Sequence, residues 1–360
     1  MAVSYQELIA SAPPDPIVES NRKTTEASLF TGLQRQARAS GLLGSRLDYY
    51  AWKIPATLAL YLSGWAAFMV IGASWWQLLT AVFLGFCYGQ VGLLGHDVAH
   101  QQVSKNRRVV ELLGAFHGDL LLGFSYNWWT NHHNRHHSNP NHLQKDPDIL
   151  RRRVIFTPEQ FEQPMSGARR FIIKFQDKLF FPLLMLESLG LRIISVRVIR
   201  QRVVRRVWLE GILLGAHLAI YFTVVFCVLR PWQAVAFVVI HQCSFGLYTG
   251  AIFAPNHKGL PVRTDEESLE WFTRQVVTSR NIRGGLLVNM FYGGLNYQIE
   301  HHLFPGMPRP NLRRVRPLVI SYCREHEIPY YETSVARSYI EVTRHLGRVS
   351  REARHRNLSA

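Results

Sequence analysis

Sixteen of the 360 residues are histidine, and they are not scattered. His132, His133, His136, His137 and His142 fall within eleven residues. His96 and His100 stand at i and i+4, as does His137 relative to His133, with His136 at i+3; His301 and His302 follow Gln298 with the same i, i+3, i+4 spacing. Residues three and four apart share one helix face, so each set can present its side chains together. Gathered in one place, these imidazoles would repel one another if protonated, and burial opposes their charging. A metal ion removes both difficulties by binding neutral rings. Seven or eight donors exceed what one tetrahedral or octahedral ion needs, which implies two ions. Imidazole suits Zn, Cu, Fe and Ni. Zinc hydrolysis calls for H-E-x-x-H, whereas the sequence here is His96-Asp97-Val98-Ala99-His100; a dinuclear site beside hydrocarbon suits oxygen chemistry on a lipid better.

The elements that must position these rings are membrane helices. From Ile54 to Gly95 no Asp, Glu, Lys, Arg or His occurs. At roughly 20 residues per crossing this block holds two spans, predicted at 54–72 and 76–95. Gly72-Ala-Ser-Trp-Trp76 makes the turn, its tryptophans at the water–lipid boundary. A second block gives 211–229 and 232–255, joined by Arg230-Pro231-Trp232 and interrupted only by His217 and His241. The expected fold is an all-α integral membrane protein, with four transmembrane helices in two hairpins and a cytosolic helical cap carrying the histidine-rich site. A polar segment 1–53 precedes the membrane domain 54–310, and a basic segment 311–360 follows it.

Charge sets the expected orientation. The chain carries 41 Lys and Arg against 25 Asp and Glu, a formal charge of +16. Arg230 is the one basic residue in the two hairpin turns. Positive loops remain cytosolic, which places both termini, the central loop and all three histidine sets on the cytosolic side. The excess charge then belongs to a lipid head-group surface, and the sequence has no KH, RRM or zinc-finger signature that would argue for nucleic acid. Cys87, Cys227, Cys243 and Cys323 form no CxxC pair, which excludes a disulfide scaffold or a cysteine zinc finger. The start has no apolar core of a cleavable signal peptide. The stretches 112–129 and 171–191 are apolar but broken by charge, so they are expected in the interface. Residues 192–206 alternate Arg with Val and Ile, as a surface helix on anionic lipid would. Val335, Tyr339, Val342 and Leu346 recur at helical spacing in an amphipathic C-terminal helix.

Three motifs carry a resemblance. His96-Asp-Val-Ala-His100, Trp129-x-x-x-His133-Asn-Arg-His136-His137 and Gly293-Gly-Leu-Asn-Tyr-Gln298-Ile-Glu-His301-His302 resemble, in order and spacing, the three histidine boxes of the membrane fatty acid desaturases. The likeness covers residues 54–310. A third box opening with Gln is similar to the acyl-lipid and front-end branch. Phe253-Ala-Pro-Asn-His257 resembles the further histidine that the family places after its fourth crossing.

The resemblance implies a di-iron centre. Its expected ligands are His96, His100, His133, His136, His137, His257, His301 and His302, and Gln298 either ligates through its amide oxygen or hydrogen-bonds a ligand or water. It implies O2-dependent introduction of a cis double bond into an acyl chain with two supplied electrons, and no catalytic residue beyond the metal ligands. The substrate would be a CoA ester or a membrane lipid, held between Leu120–Trp129 and the inner faces of the second and fourth spans. No H-P-G-G haem motif of a fused cytochrome b5 occurs, so a separate ferredoxin or cytochrome b5-type donor is expected. The membrane would be the plasma membrane in a bacterium and the endoplasmic reticulum in a eukaryote. Two alternatives stay open: a hydroxylase or ketolase with the same boxes, and a non-enzymatic metal-binding or transport protein. Transport ligands belong near the midplane, whereas these histidines lie at or beyond the span ends. Asp97, Asp146, Asp148, Glu300 and Asn134 are candidates to orient imidazoles. His132 is expected to point elsewhere; His142, His326, His345 and His355 read as surface residues, and His217 and His241 draw suspicion of function from their place within spans.

Overall fold

Each charge-free block forms long helices that run past the block itself. The computed structural model describes residues 29–150, 154–161, 166–265 and 269–358; residues 1–28 of the polar N-terminal segment lie outside that range. Helix α1 covers 29–39, followed by α2 (Leu47–Ile71) and α3 (Gln77–Ala99). Helix α3 thus continues beyond Gly95 to carry His96. A change from apolar to polar residues marks where hydrocarbon ends, not where backbone hydrogen bonding must stop. After α4 (Arg107–Ala115) and a π-helical turn (Phe116–Leu122) comes α5 (Tyr126–Ser138). Then follow α6 (Gly167–Lys174), α7 (Gln176–Leu184), α8 (Glu187–Arg200), α9 (Val207–Val228) and α10 (Pro231–His257). Among the described residues four helices, α2, α3, α9 and α10, are long and apolar enough to cross a membrane. The remaining elements are α11 (Trp271–Val277), β1 (Asn281–Arg283), α12 (Leu286–Tyr292), α13 (Gln298–Leu303), α14 (Arg309–Glu325), β2 (Glu332–Ser334) and α15 (Val335–Leu358). Strands β1 and β2 pair in parallel, Ile282 opposite Thr333, so the fold is mainly helical, not wholly so.

Helix α3 is the axis. It packs between α2 and α10 and is buried on almost every face, whereas α2 buries one stripe, Tyr50, Thr57, Tyr61, Gly64 and Phe68. Helix α9 likewise buries only Leu214, His217, Tyr221 and Val225 with Glu210, and turns its remaining apolar side outward. Gly85 and Gly89 let α3 and α10 approach closely: a Cβ at Gly89 would lie 2.0 Å from Tyr248 and one at Gly85 2.6 Å from Ser244. Small residues four apart are a common device of close membrane-helix contacts.

Two stretches expected in the interface pack more deeply. The π-helical turn packs against α3 and α9, and α7 and α8 meet at a 65° bend beside α10, a pair that together has the length and apolarity of a broken span. Within α8 the Arg–Val alternation is not uniformly a lipid face. Arg192 is half-buried and donates to the Leu122 carbonyl at 2.9 Å, while Leu189, Ile193 and Val196 are exposed. Helix α15 buries Val342, Leu346, Val349 and Ala353 against α6, α7 and α10. Its Tyr339 hydroxyl donates to the Ala251 carbonyl at 2.8 Å. That carbonyl lacks its usual helical donor because residue i+4 is Pro255, which has no N–H.

Candidate metal centre

Four short stretches bring the histidines together. The last turn of α3 carries His96, and His100 caps it. Helix α5 starts where the Ser125 hydroxyl oxygen accepts from Trp128 N–H. Its first turn is moored to α9 by Glu210, which accepts from the Ser125 hydroxyl (2.5 Å) and from Asn127 N–H (3.0 Å). One face of α5 then presents His133, His136 and His137. Helix α10 ends in His257, and α13 carries Gln298, His301 and His302.

The eight rings form two groups. One nitrogen each from His96, His100, His133, His137 and His301 lies within 4.8 Å of all the others, and the same holds for His136, His257 and His302. In the first group His133 Nε2 is 3.1 Å from His96 Nε2, 3.0 Å from His100 Nε2 and 3.0 Å from His137 Nε2. In the second, His136 Nε2 is 3.3 Å from His257 Nε2. A neutral imidazole has one N–H. One hydrogen on His133 Nε2 can satisfy one neighbour, so the other close approaches set lone pair against lone pair. Protonation is no remedy: burial, then neighbouring imidazoles, hold His133, His137, His301 and His302 well below the usual histidine range. Burial and His136 push His100 down to about 3. His136 differs. Burial pulls it down, but the Asp146 carboxylate outweighs burial and raises it.

A cation fits this donor set. His302 Nε2 and both nitrogens of His301 are buried without a hydrogen-bond partner, the arrangement that ring nitrogens aimed at an ion would have. The outward nitrogens of three rings are meanwhile held. His136 Nδ1 donates to Asp146 (3.0 Å), His257 Nδ1 to the Thr278 carbonyl (2.9 Å) and His302 Nδ1 to Gln275 Oε1 (2.9 Å). Each bond places the proton on Nδ1 and leaves the Nε2 lone pair facing inward. Asp146 is itself fixed by Asn141 N–H (2.8 Å) and Asp148 N–H (2.9 Å), so its turn and its histidine contact are one structure. Gln275 also donates to the His137 carbonyl at 2.9 Å.

Gln298 lies in the second group with its Nε2 2.9 Å from His257 Nε2, while its Oε1 accepts from Asn256 Nδ2 at 3.0 Å. In this orientation the amide donates to His257 and offers no free oxygen inward. The other orienting candidates divide. Asp148 binds His132 (2.8 Å) and lies 3.6 Å from His136. Glu300 is taken by Asn281 and Tyr330, and Asn134 is exposed. Asp97 lies 3.8 Å from His96 Nδ1 and pairs with Arg309 Nη2 at 2.7 Å. Arg309 also donates to the Leu93 carbonyl at 2.8 Å, tying the end of α3 to the segment after α13. A Cβ at Gly294 (φ 85°) would lie 2.6 Å from Arg309 Cγ, so the Gly293-Gly294 pair makes room for that side chain.

His132 points away from both groups, as its spacing predicts. His142 and His345 are not surface residues: His142 is buried beside Asp265, and His345 Nε2 donates to the Phe156 carbonyl. Within the spans, His217 bonds the Leu120 carbonyl and His241 the Tyr221 hydroxyl, each at 2.9 Å, which explains them as packing residues. Asn256, Gln275, the Thr278 carbonyl and Arg309 escaped sequence reasoning, since nothing in their spacing sets them apart.

A cavity of about 380 Å³ adjoins the rings. Trp129, His133, His136, His257 and Gln298 line one part, and Leu93, Phe245, Ile252 and Phe253 of α3 and α10 another. Phe180, Leu184, Leu191 and Ile194 of the bent α7–α8 pair complete the wall, a contribution the charge pattern did not reveal. An apolar, chain-shaped guest would reach the imidazoles along it.

Residues 73–334 match the model of the fatty acid desaturase family. The chain is 30% identical over 320 residues to an acyl-lipid (9-3)-desaturase of Physcomitrium patens, covering 85% of this chain and 59% of that protein. It is 30% identical over 331 residues to a Delta(6)-fatty-acid desaturase of Caenorhabditis elegans, covering 88% and 73% respectively. A Delta(8)-fatty-acid desaturase of Euglena gracilis is 31% identical over 312 residues, covering 84% and 74%. The chain thus spans about three fifths of the Physcomitrium patens protein and about three quarters of the other two.

Proposed function

The chain belongs to the fatty acid desaturase family, and we propose that it introduces a cis double bond into a fatty acyl chain, using O2 and two electrons at a di-iron centre. One observation carries this reading: eight imidazoles gather in two groups, and His133, His136 and His257 among them line an apolar cavity. His96, His100, His133, His137 and His301 would hold one iron, and His136, His257 and His302 the other, with Gln298 hydrogen-bonding beside it. Bound there, the metals would supply O2 activation and removal of hydrogen from two adjacent methylenes.

The rest is the work of the chain's own groups. Asp146, Gln275 and the Thr278 carbonyl keep the Nδ1 protons in place, so the Nε2 lone pairs of His136 and His302 already face inward, and that of His257 is freed once the Gln298 amide turns its donor away. Trp129, Phe245 and Phe253 exclude water and hold one C–C bond beside the rings. Lys258, adjacent to His257 and on the same cavity wall, gives the acyl head group a counter-charge. Because two of the relatives named above are Delta(6)- and Delta(8)-fatty-acid desaturases, we place the new bond toward the carboxyl end. Lys258→Ala should then raise KM several-fold with little change in kcat; an equal fall in kcat at unchanged KM would remove Lys258 from head-group binding.

In this reading the four apolar helices form two hairpins in a membrane. The unit 54–310 carries the reaction, flanked by 1–53 and 311–360, and the histidine centre and both termini face the cytosol. Electrons come from a separate ferredoxin or cytochrome b5-type protein steered by the basic cytosolic face, so the reduction rate should fall steeply with salt. The direct test is expression in a host without polyunsaturated lipids, with mass spectrometry to locate the double bond. An oxygenated product in place of a double bond would make the protein a hydroxylase, and His136→Ala should abolish either product.

A further inference from the structure

We propose that the pocket between β1, α12 and α14 is a binding site for the head group of an anionic phospholipid, separate from the acyl cavity. It begins with α12, a two-turn helix whose outer side is apolar. Leu286, Leu287, Met290 and Phe291 are 83%, 68%, 44% and 43% exposed, a patch unsuited to water. The helix is pinned to two spans. Gln90 of α3 donates to the Met290 carbonyl at 3.1 Å, and the Tyr248 hydroxyl of α10 donates to the Phe291 carbonyl at 2.6 Å. Gln90 is nine residues before the end of α3 at Ala99, and Tyr248 nine before the end of α10 at His257. At 1.5 Å per residue both anchors lie about 14 Å back along their helices. Helix α12 therefore sits below the level of the histidine centre, with its apolar side in hydrocarbon.

Beside it is a cavity of about 400 Å³, lined by Arg283, Arg313 and Arg316 with Glu332 as the acidic residue. Glu332 is taken by Arg316, at 2.5 and 3.2 Å. Arg283 and Arg313 are exposed and make no side-chain hydrogen bond or ion pair among the described residues. Two unspent guanidinium groups at head-group depth, next to an apolar ledge, match a phosphodiester that carries acyl chains. Asn296 lines the same cavity, 1% exposed, with an Oδ1 that has no partner; that oxygen can accept from a hydroxyl on the head group. Phosphatidylglycerol supplies a phosphate, such a hydroxyl and two chains. This inference rests on the membrane placement proposed above but not on the metal or the reaction.

The test uses the full chain purified in detergent. Retained ligand is counted by native mass spectrometry after addition of phosphatidylglycerol, phosphatidylcholine or inorganic phosphate, with metal content measured on the same samples. Phosphatidylglycerol should be retained over phosphatidylcholine. The Arg283→Gln/Arg313→Gln variant should retain about tenfold less of it at unchanged metal content, equivalent to about 1.4 kcal/mol. The Arg283→Lys/Arg313→Lys variant, which keeps the charge, should retain more than the glutamine pair and reports on the site even if the glutamine variant misfolds. Equal retention by all variants, no preference between the two lipids, or displacement of the lipid by inorganic phosphate would each overturn the proposal, the last in favour of a site for free phosphate. Because lipid retention is read without turnover, a protein that binds the lipid but forms no double bond would count against the proposed reaction alone.

Discussion

At the level of single residues, the centre is governed by protons. The rings of His136, His257 and His302 have their outward nitrogens tied, so their inward lone pairs are fixed before any ion arrives. Replacing Asp146 by Asn keeps the shape but removes the charge that favours His136 as a donor. Metal affinity of Asp146→Asn should fall about 10–100-fold, measured by competition with a chelator; an unchanged affinity would show that Asp146 merely builds its turn. Gln275→Ala frees His302 Nδ1 and the His137 carbonyl together and should lower iron retention while leaving the unfolding free energy within about 1–2 kcal/mol of wild type. Seven of the eight rings were legible in the sequence because side chains on one helix face must repeat at three and four; His257 was reached only through the resemblance. The partners of the rings were not legible. Gln275 lies 27 residues before His302 and the Thr278 carbonyl 21 residues after His257, and a backbone carbonyl has no sequence signature at all.

Elements position the rings through a few buried polar contacts. Arg309 reaches from α14 to Asp97 and the Leu93 carbonyl, locking the end of α3 to the chain that follows α13. Removing its guanidinium leaves Asp97 buried and uncompensated, a loss of about 3–5 kcal/mol. Arg309→Ala should therefore lower thermal stability and iron content together, and a variant with full iron content would separate this ion pair from the metal centre. The Gly89 contact makes a second test: Gly89→Val must move Tyr248 or part α3 from α10, with an overpacking cost of about 1–3 kcal/mol or more. Charge-free runs announce the long helices, since hydrocarbon tolerates few charges along a span. The α7–α8 pair was read as interfacial because Lys174, Asp177, Lys178 and Glu187 interrupt it. Lys174, Asp177 and Lys178 stay off the cavity that Phe180 and Leu184 line, and Glu187 joins that wall just past the bend; a linear pattern does not display a bend. The β1–β2 pairing joins segments 51 residues apart and is too short for any alternation to appear.

For the whole molecule, a basic chain, a membrane and one reactive face belong together. Forty of the 41 Lys and Arg lie outside the proposed hairpin turns, so reporter fusions at the two termini should both report the cytosol, and a fusion within 72–76 should report the opposite side. Opposite locations for the two ends would break the four-crossing arrangement. The same face that would receive electrons carries the imidazoles, while the apolar cavity runs between α3, α7, α8 and α10, so polar and apolar reactants meet where the two environments touch. The most direct check is the metal content of the purified 360-residue chain after anaerobic reconstitution with ferrous iron. Two irons per chain are expected, one for each imidazole group, with His136→Ala losing the ion of the second group. A chain that binds no iron, or a His136→Ala variant that keeps both ions, would contradict this.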